Sequence, residues 1–229
     1  MHHPMKHSTL HAAIIGSFLE RERPPTLQEL AAHFGCDEPT ARARLRALAE
    51  YHGVVLHPTT DEIWVAHPFS AAPTTFVVRA GGKTWWGNCA WCSLGVAALA
   101  GGTATIETRI GALEAPVTIR IESGTLRDTE YVVHFPIPMH QAWDNVIYTC
   151  SVMLIFRSEA QVDDWCAARG VAKGDVRPLE QIWRFATDWY GRHASPTWTK
   201  WSVQEAIALF AKHHLTGSTW RLADRDERF

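Results

Sequence analysis

The chain has 229 residues, 46% hydrophobic and 20% charged, the balance of a globular protein with room for one large domain or two small ones. A net charge of −2 gives no field to draw in nucleic acid or an anionic membrane surface, and no apolar run is long enough to span a bilayer. Five cysteines, an odd number, argue against a disulfide framework and for thiols kept reduced in the cytoplasm, and the stretch from Met1 to His7 lacks the apolar core of a secretion signal.

Apolar spacing predicts a first helix over Ser8 to Glu20, with Leu10, Ile14, Phe18 and Leu19 as its stripe and Pro24-Pro25 beyond its end. Thr26-Leu27-Gln28-Glu29 matches a capping box and opens a second helix through Phe34. Asp37 is placed to cap a third, Glu38 to Tyr51, which turns Ala41, Leu45 and Leu48 inward and Arg42, Arg44 and Arg46 outward. Two short strands, Val54 to Leu56 and Ile63 to Val65, follow. Three helices and a two-stranded wing give a winged-helix pattern, so residues 1–67 are read as a winged-helix-like N-terminal domain.

His67 to Pro73 reads as a proline-punctuated linker into a second domain, residues 68–229. Strands are predicted at Thr74 to Arg79, Thr103 to Thr108, Val117 to Glu122 and Glu130 to His134, most simply as an antiparallel meander. A buried strand, Val152 to Phe156, has Cys150 at its entry. Helices follow from a Ser158-to-Gln161 capping box to Arg169, from Pro178 to Tyr190, and from Ser202 to His214. The fold class is therefore α+β: a three-helix winged-helix-like unit, then a mixed or antiparallel sheet with covering helices.

The chemistry concentrates in Trp85-Trp86-Gly87-Asn88-Cys89-Ala90-Trp91-Cys92. A helix is predicted from Cys89 to Ala100, with Asn88 as N-cap and Gly101 as the stop. Cys89 and Cys92 then share a face in the first turn, where free N–H groups and the helix dipole favour a thiolate, and Cys89 is expected to be the most reactive. Trp86 and Trp91, with Trp85, are candidates to line a pocket for an organic group, although aromatic core packing explains them equally well. Cys36 and Cys166 read as structural or incidental; His134 and His140 are placed where either could reach the site, although a solvated or hydrogen-bonded histidine is the commoner outcome, and Asp144 is a remote source of a carboxylate.

The winged-helix start, His67-Pro68-Phe69-Ser70, the helix opening at Cys89, and Cys150-Ser151-Val152-Met153-Leu154-Ile155-Phe156 followed by Asp164-Trp165 resemble the organomercurial (alkylmercury) lyases over most of the chain. In that family two cysteines and an aspartate carry the reaction, the aspartate three residues after the first cysteine. The resemblance assigns Cys89 and Cys150 to the cysteine positions and puts Cys92 where the aspartate belongs. It implies two thiolates on R–Hg⁺, protonation of carbon, and an aspartate that relays the proton. With Cys92 there, three soft ligands surround the metal and the relay is missing, so mercury binding is expected to survive better than carbon–mercury cleavage.

The catalytic and metal-ligating candidates are thus Cys89, Cys92 and Cys150. No cofactor is expected to be required. The ligand or product is a soft metal ion, Hg or else Zn or Cu, and the partner a small organometallic or metal ligand. Two other classes compete. Cys89-Ala90-Trp91-Cys92 suits a thiol–disulfide oxidoreductase with a thiol exchange partner, against which stands the meander that follows it. A metal-sensing DNA-binding regulator would use Arg42, Arg44 and Arg46, against the near-neutral charge.

Overall fold

The structure is a computed structural model and describes residues 6–223; residues 1–5, most of the stretch read as too polar for a secretion signal, lie outside it. Three helices open the chain: α1 (His7–Arg21), α2 (Leu27–His33) and α3 (Glu38–Glu50). Their caps are local. Thr26 and Glu29 exchange both bonds of a capping box, and Asp37 accepts the Thr40 N–H. Leu10, Ile14 and Phe18 of α1 are buried with Leu45 and Leu48 of α3, so burial of one apolar stripe on each helix holds the unit together.

Strands β1 (Val55–Leu56) and β2 (Ile63–Ala66) follow. The expected linker is instead a tight turn through a cis His67–Pro68 peptide into β3 (Phe69–Ser70). Then come β4 (Val77–Ala80), β5 (Lys83–Gly87), α4 (Ala90–Leu99), β6 (Ala104–Arg109), β7 (Pro116–Glu122) and β8 (Thr125–Leu126). These strands form one antiparallel eight-stranded sheet in the order β1-β2-β3-β5-β4-β6-β7-β8. The hairpin after α3 is therefore the margin of the main sheet, and the sheet runs across residue 67 without a break.

The rest of the chain contains β9 (Val132–Phe135), α5 (Val146–Ser151), β10 (Ile155–Phe156), α6 (Glu159–Arg169), β11 (Asp175–Pro178), α7 (Leu179–Tyr190) and α8 (Val203–Lys212). Strand β9 does not extend the meander: it is the centre of a separate sheet, β10-β9-β11. The strand itself was legible, but the choice of sheet depends on long-range pairing with β11, which the sequence reading missed. Cys150 also lies on a short helix, α5, rather than at a strand entry.

Helix α4 occupies the middle of the fold. Every residue from Ala90 to Ala97 is buried, as expected of a helix that is apolar on all sides. It lies on β3, β4, β5 and β6, with α7 packed against it. Two glycines allow that approach. A Cβ on Gly87 would lie 2.6 Å from Ser93 Cα, and one on Gly95 would lie 2.2 Å from the Tyr190 ring. The α+β class holds, and no described helix is long and apolar enough to cross a membrane.

Candidate functional site

Three distant segments are laced together around the start of α4. The Asn88 N–H donates to Pro68 O at 3.2 Å, and the Ala90 N–H donates to Met153 O at 3.1 Å. The first bond fixes the His67–Pro68 turn beside the helix start, and the second fixes the chain just after Cys150. The helix begins one residue later than expected. Cys89, not Asn88, is the N-cap, and its Sγ accepts the Cys92 N–H at 3.3 Å. Sulfur here takes the capping role usually filled by a hydroxyl or carboxylate oxygen.

Cys89, Cys92 and Cys150 all line one cavity and influence one another's ionisation, although Cys150 is far away in sequence. Cys89 Sγ also touches Met153 Sδ at 3.5 Å, and Cys92 Sγ meets the Tyr190 hydroxyl at 3.4 Å. His67 Nε2 lies 3.8 Å from Cys150 Sγ. The ligand atoms of His67, Cys92 and Cys150 all fall within 4.8 Å of one another.

Charge is distributed differently from the dipole expectation. Burial works against ionising any of these thiols. Cys92 nonetheless lies well below the usual thiol range, because Cys150 and Cys89 donate to it and His67 and Tyr190 add to the effect. Cys89 is pushed well up by burial and by the other two cysteines. Cys150 is also raised: its Cys89 contact acts to lower it, but Cys92 and burial win. Of the three thiols, Cys92 is therefore the one that ionises most readily. Burial keeps His67 below the ordinary histidine value, against the pull of Cys92, and lifts the Tyr190 phenol well above its own.

The cysteines open onto an apolar cavity of about 100 Å³, walled by Trp91, Trp143, Trp189, Trp198 and Trp201 among others. Among the described residues, no carboxylate lines it. Trp91 stacks on Phe185 at 4.8 Å. Trp86 is not part of the wall, and Trp85 is a structural residue whose Nε1 donates to Phe18 O at 2.6 Å. Trp86 sits in β5 opposite Ser70 and Val77, so the side-by-side tryptophans of the sequence point to opposite faces of a strand.

The remaining candidates lie elsewhere. His134 bonds Lys173 O at 2.6 Å and sits 3.7 Å from Cys166, in the smaller sheet's packing. His140 and Asp144 are exposed and do not line the cavity. The residues missed were His67, Tyr190, His11 and His193, all in the cavity wall. One signal was available: a glycine inside an apolar helix implies a close neighbour, and at Gly95 that neighbour is Tyr190.

The profile of the family described as "MerB: Alkylmercury lyase" matches residues 69–191, more than half of the 229-residue chain. The chain belongs to the alkylmercury lyase family. A solved structure described as the mercury-bound form of MerB2 is similar in fold, with a TM-score of 0.63 at 20% identity over 80% of this chain and 91% of that one. No curated protein matches the chain. Cys89, Cys92 and Cys150 all lie inside the part of the chain that carries the lyase family match.

Burial sets the expected order of thiol reactivity. Cys36 is half-buried, whereas Cys89 and Cys92 are 0% and 1% exposed. Timed iodoacetamide labelling read by mass spectrometry should modify Cys36 first and leave Cys89 among the last. Early modification of Cys89 would mean that the pocket opens far wider than this packing allows.

Proposed function

We propose that this alkylmercury lyase family member captures organomercurials on Cys92, with Cys150 and Cys89 as the further sulfur ligands, and cleaves the carbon–mercury bond slowly. The convergence of three buried sulfurs on one apolar cavity carries this reading. Mercury is soft and prefers thiolate to nitrogen or oxygen, and Cys92 is the sulfur that ionises most readily. The indole walls suit an aryl or alkyl group.

The step balances without an oxidant. Cys92 Sγ displaces the outgoing ligand and holds R–Hg. As Cys150 Sγ bonds to mercury, its S–H proton passes to carbon, the carbon–mercury bond breaks, and R–H leaves. Mercury remains as Hg(II) between Cys92 and Cys150, and Cys89 strengthens the hold. With no carboxyl at the cavity to relay the proton, the transfer lacks an acid–base catalyst, so binding should outpace cleavage. In the same proposal the protein works in the reducing cytoplasm, with residues 1–67 a winged-helix-like unit and 68–229 the lyase-like unit.

The redox alternative is weaker, because Cys89 and Cys92 are too deeply buried for a protein thiol to reach. Arg42 and Arg46 both bind Asp61, at 2.7 and 2.6 Å, which draws the charge of α3 away from a DNA-facing role. Phenylmercury offers a direct test. The protein should bind one equivalent and release benzene slowly, and Cys150→Ser should abolish the release. Undiminished benzene release from Cys150→Ser would overturn the scheme.

A further inference from the structure

We propose that His67, Cys92 and Cys150 form a zinc site, with His67 Nε2 as a third ligand beside the two sulfurs. It shares two sulfurs with the mercury reading but does not depend on mercury chemistry. Zinc is bound tetrahedrally, with bonds of about 2.3 Å to sulfur and about 2.0 Å to nitrogen. That geometry separates a sulfur and a nitrogen ligand by about 3.6 Å. His67 Nε2 and Cys150 Sγ are already 3.8 Å apart, and the whole trio lies within 4.8 Å.

The histidine presents the correct atom. Its Nε2 lies 3.4 Å from Asn88 Nδ2. An amide nitrogen can only donate, so Nε2 is the unprotonated ring nitrogen, and zinc would take the place of Asn88 as the partner of its single lone pair. Asn88 is itself buried, and its backbone N–H bonds Pro68 O. The same residue therefore fixes both the turn and the ring that the turn carries. The ligands come from the β2–β3 turn, α4 and α5, and the Asn88 and Ala90 backbone bonds hold those segments in register before any ion arrives.

The donor set also selects the ion. Two sulfurs and an imidazole suit zinc, whereas calcium and magnesium need oxygen ligands and no carboxylate lines this cavity. Cys89 is left out of the trio: it caps α4 and contacts Met153. Two cysteines and a histidine form a three-ligand set that leaves one position open, here for water or a small ligand from the cavity. Zinc and R–Hg⁺ then compete for Cys92 and Cys150. His67 helps only zinc, since mercury prefers sulfur to nitrogen.

The test uses the full chain, reduced and stripped of metal. Zinc affinity is measured by competition with a chromogenic chelator, and the bound ion's shell by X-ray absorption. The expected shell has two sulfurs and at least one nitrogen. His67→Ala should weaken zinc by at least about tenfold and Hg(II), which keeps all its sulfur ligands, by a clearly smaller factor. Retained mercury binding shows that the variant's pocket is folded. Should His67→Ala lose both ions, the shell of the wild type decides. Zinc binding by His67→Ala as tight as wild type, an all-sulfur shell, or no zinc binding by the wild type would each overturn the proposal. Mercury binding is measured separately, so loss of the zinc site and loss of the mercury reading give different results.

Discussion

Cys92→Asp is expected to release hydrocarbon from phenylmercury about 10²-fold faster than the wild type, the scale of a well-placed acid–base group. The position is 1% exposed and one helical turn beyond Cys89, against the Tyr190 hydroxyl and the Cys150 sulfur. A carboxyl placed there is pushed up by burial, while the hydroxyl and thiols that surround it donate to its ionised form. It can therefore take the proton of Cys89 or Cys150, whose sulfur then captures R–Hg in place of Cys92, and pass that proton to carbon. The substitution also removes one sulfur from the product complex, so Hg(II) should dissociate faster. Cys150→Ser in the Cys92→Asp background should abolish the gain, because one of the two remaining sulfurs is then gone. Headspace chromatography of benzene measures the rate, and chelator competition measures the metal. A wild type that turns over faster than Cys92→Asp would show that a thiol alone is an adequate proton donor here.

The second large effect is on stability. Gly87→Ala should cost about 3 kcal/mol, at the upper end of overpacking in a tight core. The new Cβ would lie 2.6 Å from Ser93 Cα and 2.8 Å from Ser93 N. Those are backbone atoms of the first turn of α4, whose Ser93 N–H bonds Cys89 O at 2.8 Å. No side chain can swing aside, so the helix start must move and take both of its cysteines with it. A fall in Tm of roughly 6–12 °C is expected for a chain of this size, together with weaker mercury binding. Gly16→Ala, inside α1, supplies the opposite sign. Nothing lies within 4 Å of a Cβ there, so it should stabilise by about 0.5–1 kcal/mol through helix propensity. Equal thermal shifts for the two variants would refute the steric argument.

These contrasts mark the limits of the sequence reading. Caps were legible because they are local: Thr26, Asp37 and Ser158 each accept the backbone N–H expected of them. Ser158 departs in one respect, since Gln161 Oε1 turns to Arg157 N–H and the reciprocal half of its capping box is missing. The cysteines stood out by type and by family resemblance, and the fold brings the three sulfurs together. His67 was visible only as part of a turn, because its role depends on an Asn88–Pro68 backbone bond that no periodicity announces. Protonation was misjudged for a related reason. The helix-end argument treats a thiol singly, whereas Cys89 and Cys92 share one buried cavity with Cys150, whose coupling to them helps push Cys89 up and Cys92 down.

The sheet that passes through residue 67 makes the pocket joint property. The lyase family match begins at residue 69, yet His11, His52 and His67 stand in the cavity wall, and β2 pairs with β3 through Val65–Ser70 and Ala66–Phe69. A fragment starting at residue 68 would keep the cysteines but lose part of their enclosure, and β3 would become a bare edge open to aggregation. The first 67 residues are in this sense a detachable wall.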